Sequence, residues 1–179
     1  ILALKKAVTF FREKVSAEGG YLWRYSDDLA LREGEDRATA TMAWLQPPGT
    51  PAVGEAYLTA YDRVKEQYLL DAAVETARSL VKGQLVSGGW DGFMEFDPEK
   101  RRGIAYLVDG TSAARARNTT TLDDDKTQSA IRFLMHVDKR LGFKDQAIHE
   151  ATLYALDGLI KVQYPNGAWP QRFNGPPKA

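Results

Sequence analysis

The densest run of chemically useful side chains in this sequence is Arg115-Ala-Arg117-Asn118-Thr119-Thr120-Thr121-Leu122-Asp123-Asp124-Asp125-Lys126. Three adjacent carboxylates with hydroxyl and amide neighbours suit a hard, oxygen-seeking cation such as calcium, which makes Asp123, Asp124 and Asp125 candidate metal ligands. The competing reading is helix capping, because aspartate satisfies the free amides of a first turn and faces its positive end. Asp125 and Gln128 also have the spacing of a capping box. At least one of the three must still point elsewhere. Around them stand Lys100, Arg101, Arg102, Arg115, Arg117, Lys126 and Arg132. Guanidinium groups take carboxylates through paired hydrogen bonds, so an acidic polymer such as a polyuronate suits this wall; solvated charge offsetting a local acidic loop is the plainer alternative.

Other chemistries are thinner. The 179 residues include no cysteine, which excludes thiolate metal sites, disulfides and cysteine nucleophiles, and only two histidines, His136 and His149, both in helical segments with no Ser or Cys motif beside them. No nucleophile elbow, P-loop or dinucleotide fingerprint occurs. Glu95 and Asp97, with Asp91, form a weak candidate glycosidase set. Twenty-four basic residues balance 24 acidic ones, which disfavours a nucleic-acid partner. No apolar run approaches the ~20 residues of a membrane span.

The elements that must position these groups show up as a repeat. Gln84-Leu-Val-Ser-Gly-Gly-Trp90 and Gln163-Tyr-Pro-Asn-Gly-Ala-Trp169 share Q-x-x-x-G-x-W at a separation of 79 residues, and Gly19-Gly20-Tyr21 echoes its end. Each copy follows an apolar stripe at helical spacing: Leu4, Val8, Phe11 and Val15; then Leu70, Ala73, Ala77 and Leu80; then Ile148, Thr152, Ala155, Leu159 and Val162. Two further stripes lie between. One is Ala56, Tyr57, Ala60, Tyr61 and Val64, behind a Thr50 cap and Pro51; the other is Ala130, Ile131, Leu134, Val137 and Leu141. An offset of 74 residues lays Gly54 on Gln128 and Ala60 on Leu134. The pattern predicts an all-α fold of repeated α/α hairpins forming a toroid or part of one, with function in the long loops 20–50 and 87–125. Trp90 and Trp169, recurring at one repeat position, read as packing residues, though such rings also line carbohydrate sites.

The stretch Asn118–Met135, followed by a helix and Gln163-Tyr-Pro-Asn-Gly-Ala-Trp-Pro-Gln171, resembles the family 10 pectate lyases, with a T-x-D-[ND]-x-A-T stretch and a Q-Y-x-x-G-x-x-P-Q turn; the match covers residues 118–173. The resemblance implies a secreted or periplasmic bacterial enzyme that cleaves polygalacturonate by β-elimination with calcium (Ca2+). It implies a monomer acting on an acidic polysaccharide, with no nucleic acid and no membrane. Asp124 matches the family aspartate that binds calcium and substrate, with Asp123 and Asp125 as neighbours. Arg115, Arg117, Lys126, Arg132 and Trp90 complete the expected substrate-binding set. The sequence departs from the pattern at Asp125 and Lys126, and a lysine there can replace or repel a metal. The family's arginine base lies beyond the Gly-Trp-Pro turn, so residues 1–179 read as a single domain that is the N-terminal portion of a larger catalytic domain, with no catalytic base assigned. Two alternatives stand beside the lyase: a non-catalytic α/α-hairpin module binding acidic polysaccharide or a protein, and a glycoside hydrolase or terpene-cyclase-like toroid.

Overall fold

The computed structural model describes residues 1–112 and 114–175. Its helices are α1 (Leu2–Phe10, continued by a π turn Phe11–Val15), α2 (Thr50–Val64), α3 (Gln67–Gly83), α4 (Lys126–Arg140) and α5 (Gln146–Val162). Successive helices pair as hairpins, α2 with α3 and α4 with α5. The pairs then stack, α2 on α4 and α3 on both α1 and α5, so the helices lie in two rows. No helix among the described residues is long and apolar enough to cross a membrane.

The stripes of α3, α4 and α5 are buried as expected, with Ala73, Ala77, Leu80, Ala130, Leu134, Val137 and Ile148 fully inside. Two stripes shift. In α2 the covered face is Pro51, Gly54, Tyr57 and Leu58, while Ala56 and Val64 are exposed. The reason is steric: a Cβ on Gly54 would overlap the Phe133 ring of α4, so the hairpins meet where that glycine lets them approach. In α1 only Val8 and Val15 are buried, whereas Leu4 and Phe11 stay largely open. The π turn inserts an extra residue between them and rotates the face.

The repeat is written in hydrogen bonds. Gln84 Nε2 donates to Gly88 O at 3.0 Å, and Gln163 Nε2 donates to Gly167 O at 2.8 Å. Trp90 Nε1 donates to Leu80 O at 2.9 Å, and Trp169 Nε1 to Leu159 O at 3.0 Å, so both rings fold back over the helix they follow. The turning glycines Gly88 and Gly167 have φ of 110° and 86°, a conformation that side chains resist.

Threonine hydroxyls tie each turn to the next helix. Thr50 Oγ1 accepts from Tyr21 N at 2.9 Å and donates to Tyr21 O at 3.1 Å. Thr127 Oγ1 does the same with Trp90, accepting from N at 3.2 Å and donating to O at 3.1 Å. Thr50 is therefore no N-cap, since Gly49 holds that position. Because Thr50 and Thr127 are equivalent, the helices repeat at 77 residues rather than 74, and Gly54 falls on Ile131.

Short antiparallel strands, unforeseen in an all-α reading, brace the long loops. These are β1 (Arg24–Tyr25) with β2 (Arg32–Glu33), β3 (Met42–Trp44) with β4 (Phe93–Glu95), and β5 (Thr120–Thr121) with β6 (Arg172–Phe173). The β3–β4 pair joins the two loops in which function was expected.

Thr127→Val is expected to leave the buried N–H of Trp90 without a partner, its carbonyl keeping Thr121 N, and to cost about 1–3 kcal/mol, read from the shift in urea midpoint at constant slope. Gly54→Ala is expected to cost about 1–3 kcal/mol by forcing α2 away from Phe133. An unchanged midpoint in either variant contradicts the packing described.

Candidate functional site

The aspartate run ends its turn with a reversed backbone. Asp124 sits at φ 49°, ψ 36° and Asp125 at φ 60°, ψ 22°, two consecutive left-handed residues at the head of α4. Such backbones cost about 1–3 kcal/mol each, less for aspartate than for most residues, and they gather at functional sites. Asp125 makes no capping bond, and Gln128 Nε2 donates instead to Leu122 O at 2.7 Å, so the capping box is not formed.

The freed carboxylates meet cations of the protein. Asp124 Oδ2 accepts from Lys126 Nζ at 3.3 Å, and Asp125 Oδ2 accepts from Arg132. Among the described residues no three carboxylate or imidazole groups converge to hold a metal ion. The metal centre expected from Asp123, Asp124 and Asp125 is thus not assembled, and the donor set does not fit a calcium cage. Two of the three carboxylates are neutralised internally.

Arg117 belongs to the same place. Its Nε donates to Asp91 Oδ2 at 2.7 Å, and its guanidinium lies 4.8 Å from the centre of the Phe93 ring. Phe93 stacks on Trp44 at 6.0 Å, and Trp44 meets Trp23 edge-on at 6.4 Å, giving an aromatic row that runs to the ion pair. Between Asp91 and Phe93 is Gly92, whose absent Cβ would stand 4.0 Å from Lys126 Cε. Gly92 thus stands between Asp91, which Arg117 holds, and the stem of Lys126, which pairs with Asp124.

Other expected residues fall elsewhere. Trp90 is 0% exposed and cannot touch a substrate; that assignment is corrected, because the indole is spent joining α3 to the turn. Arg115 is exposed and has no ion pair among the described residues. Arg101 pairs with Asp109 at 2.7 Å and Arg102 with Glu99 at 2.8 Å, so the basic wall is mostly a set of local pairs. Glu95 is buried and its Oε1 accepts from Asp97 N at 2.9 Å, a turn role that leaves no glycosidase pair. Backbone N–H groups of Lys100 and Glu99 hold the Asp97 carboxyl below the usual carboxylate range. His136 pairs with Glu55 at 2.6 Å and His149 with Asp138 at 2.8 Å, away from the site.

The hydroxyl and amide neighbours build rather than bind. Asn118 Oδ1 accepts from Ser87 N at 2.8 Å, Thr120 Oγ1 accepts from Gly89 N at 3.0 Å, and Thr121 N donates to Trp90 O at 2.9 Å. They fix the segment carrying Arg117 onto the Gly-Trp turn. Below it, Tyr106 Oη accepts from Glu95 N at 2.7 Å while the Arg101 guanidinium covers its ring at 4.7 Å. Burial pushes the Tyr106 hydroxyl up to about 12. What sequence reasoning missed was Asp91 as the partner of Arg117, since 26 residues separate them. A cavity of about 650 Å³ opens on another face, lined by Arg12, Glu75, Arg78 and Asp145, but these pair among themselves at 2.7 and 2.9 Å.

Fold and site together define a helical-hairpin protein with a loop-borne cluster of paired charges beside an aromatic row. Residues 99–178 match the family model for pectic acid lyase, so the resemblance read from residues 118–173 is borne out. The fold is similar to a family 10 polysaccharide lyase from Cellvibrio cellulosa, with a TM-score of 0.57 at 16% identity, covering 93% of this chain and 54% of that one. A mutant of that lyase in complex with trigalacturonic acid matches equally well, at TM-score 0.57. The chain thus spans about half the length of these structures, 54%. No curated protein matches it in sequence.

Because the folded-state value for Tyr106 is raised from 10.0 to about 12, its contribution to stability is complete below pH 10 and is lost as pH climbs toward 12. The melting temperature of Tyr106→Phe is expected to fall less than that of the parent protein across that window; parallel curves would contradict the burial.

Proposed function

We propose that the chain forms part of a pectate-type polysaccharide lyase, on a helical-hairpin scaffold belonging to a toroid, that acts outside the cell on polygalacturonate. The observation that carries this reading is the match of residues 99–178 to pectic acid lyase, a segment that holds both the Arg117 guanidinium, paired with Asp91, and Lys126. β-Elimination removes a proton from the sugar carbon next to the carboxylate. That proton becomes acidic when positive charge draws electron density from the carboxylate. Arg117 is built for this task, since a planar guanidinium can grip a carboxylate through two parallel bonds. Its stacking on Phe93 fixes its direction, and Asp91 holds one edge while leaving the rest of the fork toward solvent. Trp23 and Phe93, both half-buried and packed on the buried Trp44, offer apolar ring surface to sugar units. Calcium would neutralise a uronate carboxylate in the same way, but Asp123, Asp124 and Asp125 do not form its cage.

The test is formation of unsaturated uronate from polygalacturonate, followed by ultraviolet absorbance. Arg117→Ala is expected to lower kcat/KM about tenfold or more, the effect of losing one charged hydrogen bond worth about 1.5–3 kcal/mol. Full activity in Arg117→Ala, or no unsaturated product from the natural full-length protein, sinks the reading.

A further inference from the structure

Lys126 is an unusual residue to find inside a protein with so little to hold it. Its side chain is 8% exposed, yet among the described residues its one hydrogen-bond partner is Asp124, at 3.3 Å, whose own side chain is 50% exposed. An ammonium group has three donors, and Asp124 accepts from one of them, so the others can serve a ligand carboxylate. The nearby carboxylates are engaged elsewhere: Asp91 by Arg117 and Asp125 by Arg132.

The site also leaves room for such a carboxylate. Gly92 lies over the lysine stem, and a Cβ added there would meet nothing nearer than Lys126 Cε, at 4.0 Å. Glycine thus leaves the space beside the end of the lysine stem free of a side chain. Among the described residues no three acidic groups at this place could hold a divalent ion.

We propose that the Lys126 ammonium, steadied by Asp124, receives a uronate carboxylate of the substrate and takes the place of a protein-held divalent cation. This rests on the reading that the chain binds polygalacturonate. Asp124 then serves as a positioning residue for the lysine rather than as a metal ligand, and binding does not depend on calcium.

Calorimetric titration with trigalacturonic acid, in chelator and in calcium, tests this without relying on turnover. The protein is expected to bind in chelator, with its neutral reduced trisaccharide binding at least about tenfold more weakly, a loss in line with one charged contact. Lys126→Met should weaken binding of the acid at least about tenfold, and Lys126→Arg should restore most of it. Gly92→Val, which keeps every charge but fills the space beside the end of the lysine stem, should weaken binding as well and guards against a folding defect in the methionine variant. Circular dichroism and urea midpoints confirm that the variants are folded. Binding that requires calcium and ignores Lys126→Met overturns the lysine assignment and leaves the lyase reading intact. No binding in either chelator or calcium overturns both.

Discussion

One hydroxyl governs the distance between the two halves of the site. Thr127 Oγ1 accepts from and donates to the backbone of Trp90, so the first turn of α4 is tied to the turn that ends α3. Lys126 and the aspartates immediately precede that threonine. Asp91, Gly92 and Phe93 immediately follow that tryptophan. The knot therefore sets how far Lys126 stands from Gly92 and how Arg117 reaches Asp91, although it touches no ligand itself. Its twin at Thr50 and Tyr21 lies one repeat earlier, where the nearby charges Arg12 and Glu75 are paired with each other. The repeat supplies a rigid fastening, and only one copy has been fitted with chemistry.

The electrostatics of the cluster follow from the backbone around it. A regular capping turn would have aimed the aspartates at free amides of α4. Two successive left-handed residues aim them outward instead, where Lys126 and Arg132 compensate them. The strain is held by neighbours that cannot move: Thr121, whose hydroxyl accepts from Asp123 N at 3.1 Å, and Gln128, anchored on Leu122. The result is a set of opposed charges at the mouth of the hairpins, with net balance near zero and a local supply of cationic donors.

Much of this was legible in residue order. Helix periodicity located α3, α4 and α5, and the Q-x-x-x-G-x-W signature located turns whose Gln and Trp bonds recur atom for atom. The π turn in α1 was not legible, because inserting one residue into a helix leaves the apolar spacing looking intact. The displaced face of α2 was hidden too, since it depends on a ring from a helix some eighty residues away. At the site, Arg117, Lys126 and Asp124 could be named from composition and spacing. Their partners could not, because Asp91 and Gly92 stand far upstream in the same loop and are brought back by the bonds of Trp90 to Thr121 and Thr127, which residue spacing does not announce. Trp90 misled for a related reason: a turn tryptophan looks alike in sequence whether its ring faces a sugar or its own helix.

Trp169 repeats the bonding of Trp90 but not its surroundings. It is 48% exposed, and Leu153 and Ile160 on the outer side of α5 are exposed at 51% and 73%. In a stacked array the free energy of each unit is its own plus that of the contact with the next. The third turn has the first contribution in full and little of the second. Among the described residues the Trp169 turn is therefore held less tightly than the Trp90 turn, whose indole is enclosed, and its amide protons should exchange sooner.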